Sequence, residues 1–98
     1  MKSGINNDTI FYMTTLANIL EKMRNNAAGV RFADICRICD HYFGPARQTS
    51  GSHRVYKTPW SGDPRINIQN QKGYAKAYQV RQIIKAIEKW EIEHGAEK

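Results

Sequence analysis

The apolar period of the chain changes at Gly44-Pro45, and that change limits the fold more than any other feature. Before it, apolar residues recur at helical spacing. Phe32, Ile35, Cys36, Cys39, Tyr42 and Phe43 make one stripe over residues 31–43. Gly44 suits a left-handed cap and Pro45 cannot continue a helix, so the stripe ends there. After it the period falls to two. Ala46-Arg47-Gln48-Thr49 reads as a short strand, Ser50-Gly51 as a tight turn and residues 52–58 as a second strand. Residues 59–64 are dense in turn formers, with Asp63 in an Asx-type role. Arg65-Ile66-Asn67-Ile68-Gln69 then alternates strictly, so Ile66 and Ile68 should face a core and the other three water.

Helical stripes flank this block. Asp8 is a candidate N-cap for a helix running to Asn25, with Tyr12, Leu16, Ile19, Leu20 and Met23 on one side. A lone helix of that length is marginal in water, so Leu16, Leu20 and Met23 are expected to pack on the domain or on a second copy. Residues 71–76 read as a polar basic loop. A last helix over residues 78–93 carries Val80, Ile83, Ile84, Ile87 and Trp90 on one face, and Gly95 stops it. The pattern predicts an α+β fold, α-β-β-β-α with an N-terminal helix. Its three-stranded antiparallel sheet has helices on one face, Ile66 and Ile68 against the last helix, and the other face wet. The expected organisation is one globular domain, a helical extension at residues 1–28 followed by the α-β-β-β-α unit at residues 29–98.

Charge narrows the function. Residues 44–87 hold eight basic side chains and one acid, a net +7 in a chain whose total is +6. Such a block is an electrostatic footprint for polyanions, although a solvated basic surface has the same composition. With 41% hydrophobic and 24% charged residues, global disorder is excluded. The apolar runs are far too short for a membrane span, residues 1–7 lack an apolar signal core, and two cysteines do not make a disulfide scaffold. A cytoplasmic protein is the expectation.

Motifs for other chemistries fall away. Cys36-Arg37-Ile38-Cys39 has CxxC spacing, but there is no second cysteine pair for zinc and Asp40 stands where a haem attachment needs His. Both thiols lie on an apolar stripe, which makes them core residues. There is no Walker loop, GxGxxG or HExxH, and no cofactor or metal is expected.

The sharpest local feature is Gly51-Ser52-His53-Arg54. Alternation sets His53, Val55 and Lys57 on one side of the strand and Ser52, Arg54 and Tyr56 on the other. Lysine prefers water, so the His53 side should be the open face and Tyr56 should join the core. Histidine among cations can move a proton at a 2′-hydroxyl or a leaving 5′-oxygen while Arg or Lys neutralises the phosphate. A surface histidine is also commonly without a role, so spacing alone leaves both readings open.

The run Gln48-Thr49-Ser50-Gly51-Ser52-His53, with Tyr42-Phe43-Gly44 before it and a basic segment and closing helix after it, resembles the HicA family of small bacterial toxins over about residues 30–93. The resemblance implies a double-stranded-RNA-binding-domain-like (dsRBD-like) fold, metal-independent mRNA cleavage, inhibition by an HicB-like antitoxin, and a catalytic histidine at His53. Departures are Arg54, where many members have a second His, Ile68-Gln69-Asn70 in place of Pro and His, and the added first helix. RNA contacts are expected from Arg47, Arg54, Lys57, Lys72, Lys76 and Arg81. Lys72 and Lys76 lead, because they flank the positive start of the last helix. Tyr74 and Trp60 are candidate base-stacking residues or lids on the local core. Expected partners are mRNA, the antitoxin and a second copy through the first helix. The alternatives are an RNA- or DNA-binding module of the same fold that does not cut, and a structural protein.

Overall fold

The computed structural model describes residues 7–62 and 64–94. In chain order they form α1 (Asn7–Asn25), a single 3-10 turn (Ala27–Gly29), α2 (Phe32–Phe43), β1 (Gln48–Ser50), β2 (His53–Lys57), β3 (Arg65–Gln71), β4 (Tyr74–Ala75) and α3 (Ala77–His94). The class is α+β, and the sheet is an antiparallel meander in the order β1-β2-β3-β4. Asp63 and Gly95, read above as a turn residue and a helix stop, lie outside the described residues, as does the side chain of Tyr12. Helix α1 is already under way at Asn7, so Asp8 stands inside it instead of capping it.

One face of the sheet makes the core. Ile68 is wholly buried and Ile66 nearly so, together with Tyr56 from β2, Ile35, Ile38 and Cys39 from α2, and Val80, Ile83 and Ile87 from α3. The alternation of β3 therefore sets the sidedness of the sheet as expected. Ile38 had no place in the stripe assigned to α2, yet it is fully buried. That stripe is wider because α2 has neighbours on two sides, the sheet and α1. Helix α1 packs on α2, α3 and the 3-10 turn. Its Leu16, Ile19 and Met23 are buried and Leu20 packs against the same cluster. The partner that this helix needs is the domain itself.

The expected count of three strands is wrong, and so is the loop at residues 71–76. Strand β3 runs on to Gln71 and turns back through Lys72-Gly73 into β4, with Gln71 opposite Tyr74 and Asn70 opposite Ala75. Both turn residues have positive φ, 54° at Lys72 and 91° at Gly73, the backbone of a two-residue hairpin with primed geometry. The Asn70 side-chain oxygen accepts the Gly73 N–H at 2.6 Å. On its other edge β4 is tied to the segment before α2. Ala75 N–H donates to the Val30 carbonyl and Phe32 N–H to the Gly73 carbonyl, each at 2.9 Å. Two residues suffice for a strand because both edges are paired, which periodicity over so short a stretch does not reveal.

Glycine is needed at two of these junctions. Gly44 has φ 80° and donates to the Asp40 carbonyl at the end of α2, and Gly73 completes the hairpin. A buried glutamine also crosses between layers: Gln79 of α3 accepts the Gln69 N–H of β3 at 2.9 Å, satisfying a strand donor.

Met23 tests whether α1 belongs to this core. It is fully buried, so Met23→Ala should cost about 2–5 kcal/mol in urea unfolding, the range for a large core side chain cut back to alanine. A loss near zero would mean that α1 is only an appendage.

Candidate functional site

The helices cover one face of the sheet, and residues of β2 and β3 that point away from them form the other. The register puts His53 opposite Ser50 on one side and Gln69 on the other, Val55 opposite Asn67, and Lys57 opposite Arg65. Residues facing each other across antiparallel strands share a sheet face. His53, Lys57, Arg65 and Asn67 thus stand together, all exposed, around a half-buried Val55. Gln69 stands directly opposite His53 and Asn67 lies two positions along, whereas Arg65 stands at the Lys57 end of the strand pair and Arg47 lies before β1.

His53 opens β2 directly after the Gly51-Ser52 turn. Its Nδ1 lies 3.5 Å from the Ser52 hydroxyl, a long contact that leaves the ring accessible. A hollow of about 420 Å³ lined by Thr49, Ser50, His53 and Val55 lies beside it, at the open β1 edge. A concave polar site next to an exposed imidazole can seat a small anionic group and exchange a proton with it.

The six expected phosphate ligands do not converge. Lys57 shares the face and strand of His53. Arg47 precedes β1, its N–H donating to the Val55 carbonyl at 2.7 Å. Arg54 points the other way, toward the helices, and is half-buried. There its charge meets Tyr56 and, more weakly, Cys36 and Asp40, which together raise its already high pKa. Lys76 is the residue before α3, its carbonyl accepting from Gln79 and Val80 at 3.0 Å. Lys72 sits at the hairpin tip, separated from α3 by β4, so the two lysines do not flank one phosphate-gripping loop. Arg81 is exposed on α3 within the helical layer.

Under the sheet the Tyr56 hydroxyl donates to the Asp40 carboxylate at 2.8 Å, which anchors α2 on β2. Burial, reinforced by this bond, pushes the Tyr56 phenol well above its ordinary value. Cys36 and Cys39 are buried free thiols. Burial raises both their pKa values, most strongly at Cys39, the opposite of an activated thiolate. They are core residues, as their stripe indicated. Among the described residues no three His, Cys, Asp or Glu side chains come together as a metal site.

Sequence reasoning missed an aromatic cluster where α2 and α3 end. His94 stacks on Trp90 with ring centroids 4.1 Å apart, and Tyr42 meets Trp90 edge-on at 5.4 Å. The Tyr42 hydroxyl donates to Glu91 at 3.0 Å, and burial followed by that carboxylate pushes its pKa up to about 12. Trp60 packs on Phe43, donates to Glu93 at 2.7 Å and lies under the Lys89 ammonium. Of the two stacking candidates, Trp60 is thus a lid on the local core, while Tyr74 is exposed beneath the Arg31 guanidinium. The i, i+4 spacing of Trp90 and His94 was the available signal.

No family model, curated protein or solved structure matches this chain. No helix among the described residues is long and apolar enough to cross a membrane.

Two outcomes follow from the Tyr56–Asp40 pair and its neighbours. Tyr56→Phe should destabilise the fold by roughly 1 kcal/mol in chemical denaturation, because the carboxylate loses its donor. Stability should also fall as pH rises above about 10. The unfolded chain releases its tyrosine protons there while folded Tyr42 and Tyr56 keep theirs, so the native state binds more protons. A stability flat from pH 9 to 11 would contradict the burial of these phenols.

Proposed function

We propose that this protein is an HicA-like toxin: a metal-independent endoribonuclease that cuts mRNA with His53 as general acid/base, on a sheet akin to that of double-stranded-RNA-binding domains. The observation that carries the reading is the position of His53. It is exposed at the turn into β2, beside a hollow, on the face that also holds Lys57 and Arg65. RNA bears its own nucleophile, so a ribonuclease needs only groups that move protons and neutralise phosphate. As the 2′-oxygen attacks phosphorus, the bond to the 5′-oxygen breaks. One end becomes a 2′,3′-cyclic phosphate and the other a 5′-hydroxyl. The imidazole takes the proton from the 2′-hydroxyl or gives one to the leaving oxygen, water carries the other proton, and Lys57, farther along the same strand, holds the RNA backbone. The resemblance adds an HicB-like antitoxin as partner and the cytoplasm as the place of action.

A second reading, an RNA- or DNA-binding module without cleavage, draws on Arg54. The residue that follows His53 faces the helices, so it supplies no second group to the open face.

Incubation of the purified protein with a mixed RNA pool in EDTA separates the two. Cutting with cyclic-phosphate ends is expected, and His53→Ala should lower the rate about 100- to 10,000-fold, the usual contribution of acid/base catalysis. RNA affinity should hold, and stability should change by no more than about 0.5 kcal/mol, as for other exposed positions. Full activity in His53→Ala would overturn the assignment of the residue. Retention of RNA without cutting by the unaltered protein would favour the binding module.

A further inference from the structure

Lys57 lies at the end of β2 opposite to His53, roughly 13 Å along the strand at its usual rise per residue. Beyond it opens a second hollow, of about 690 Å³. Its walls are aromatic: Tyr42 and Phe43 from the end of α2, Trp90 and His94 from the end of α3. Arg47 and Lys57 are its basic lining residues, among small and proline side chains from just beyond the ends of α2 and β2. The rings are held in place, Tyr42 by its hydrogen bond to Glu91 and Trp90 by its stack with His94.

The polarity of this hollow is divided. Helix C-termini carry unpaired carbonyls and a partial negative charge, which repel an anion from the interior. Glu91 and Glu93 stand at the same end, each accepting a hydrogen bond from an aromatic side chain. The positive charge is confined to Arg47 and Lys57, and neither is paired with a carboxylate among the described residues. A ligand matching both parts has a flat, uncharged, hydrogen-bond-donating body and an anionic group outside it.

We propose that this hollow seats an unpaired base of single-stranded RNA, with Arg47 and Lys57 on the flanking phosphates. Aromatic side chains stack on any base, while cations follow the backbone. The proposal rests on the reading of the protein as an RNA-cutting enzyme and adds a second contact on the strand that carries His53. It gives the sheet a direction: RNA laid along β2 has its scissile bond at one end and an anchored base at the other.

The test uses 2′-O-methyl RNA, which has no free 2′-hydroxyl and cannot be cut by this chemistry. In Trp60→Phe protein, Trp90 is the sole fluorescent tryptophan. A short 2′-O-methyl oligonucleotide should quench Trp90 over the same concentrations at which anisotropy reports binding. An oligonucleotide of equal charge with abasic positions should bind roughly five- to a hundredfold more weakly, the loss expected for one stacked base, and leave Trp90 unquenched. The double variant Arg47→Ala, Lys57→Ala should lower the salt dependence of binding by about two phosphate contacts. Equal binding of intact and abasic oligonucleotides with no change at Trp90 would overturn the base site and leave the RNA-cutting reading standing. Quenching by the intact oligonucleotide from a protein that leaves unmodified RNA uncut would support the base site and remove the nuclease. Quenching by an acidic peptide but by no oligonucleotide would overturn the base site and assign the hollow to a protein partner.

Discussion

The structure depends on one-sided burial of a small sheet. Ile66 and Ile68 on β3, with Tyr56 on β2, turn the same face toward α2 and α3. A shift of register by one residue would send both isoleucines into water and bring Asn67 and Arg65 into the core, so burial fixes the pairing. Everything exposed follows from that choice. His53, Lys57, Arg65 and Asn67 are on the open face because their neighbours in sequence are not.

The helical layer is deeper than its apparent two helices. Helix α1 lays Leu16, Ile19 and Met23 on α2 and α3, and these residues join the same core as the sheet. The Tyr56–Asp40 hydrogen bond and the Gln79–Gln69 bond then tie the two layers together at polar points. Each satisfies a group that would otherwise lie unpaired between sheet and helix. Rigid support of this kind leaves the other sheet face free to carry chemistry.

Much of this was legible in the residues. The alternation in Arg65-Ile66-Asn67-Ile68-Gln69 and the lysine at position 57 were enough to orient both central strands, and with them His53. What was not legible depended on contacts far apart in the chain. Strand β4 is too short for a period and exists because the Val30–Phe32 segment pairs with its second edge. Its hairpin was hidden by Lys72, since a lysine with positive φ is not a usual turn signal. Ile38 lies outside the stripe that a single neighbour would need, and α2 has two. The basic residues form one block in the sequence, but sheet sidedness divides them. Arg54 goes to the helices and Lys57 to the open face, although only three positions separate them.

The most direct measurement of the central claim is the footprint of RNA on the open face. In a titration of the protein with 2′-O-methyl RNA followed by NMR, the His53 ring protons and the Val55 methyls should shift. The methyls of Ile68 and Val80, on the far side of the sheet, and of Leu16 on α1 should stay in place. Shifts centred on α1 or α3, with His53 and Val55 unmoved, would contradict the claim that the open face is where this protein meets RNA.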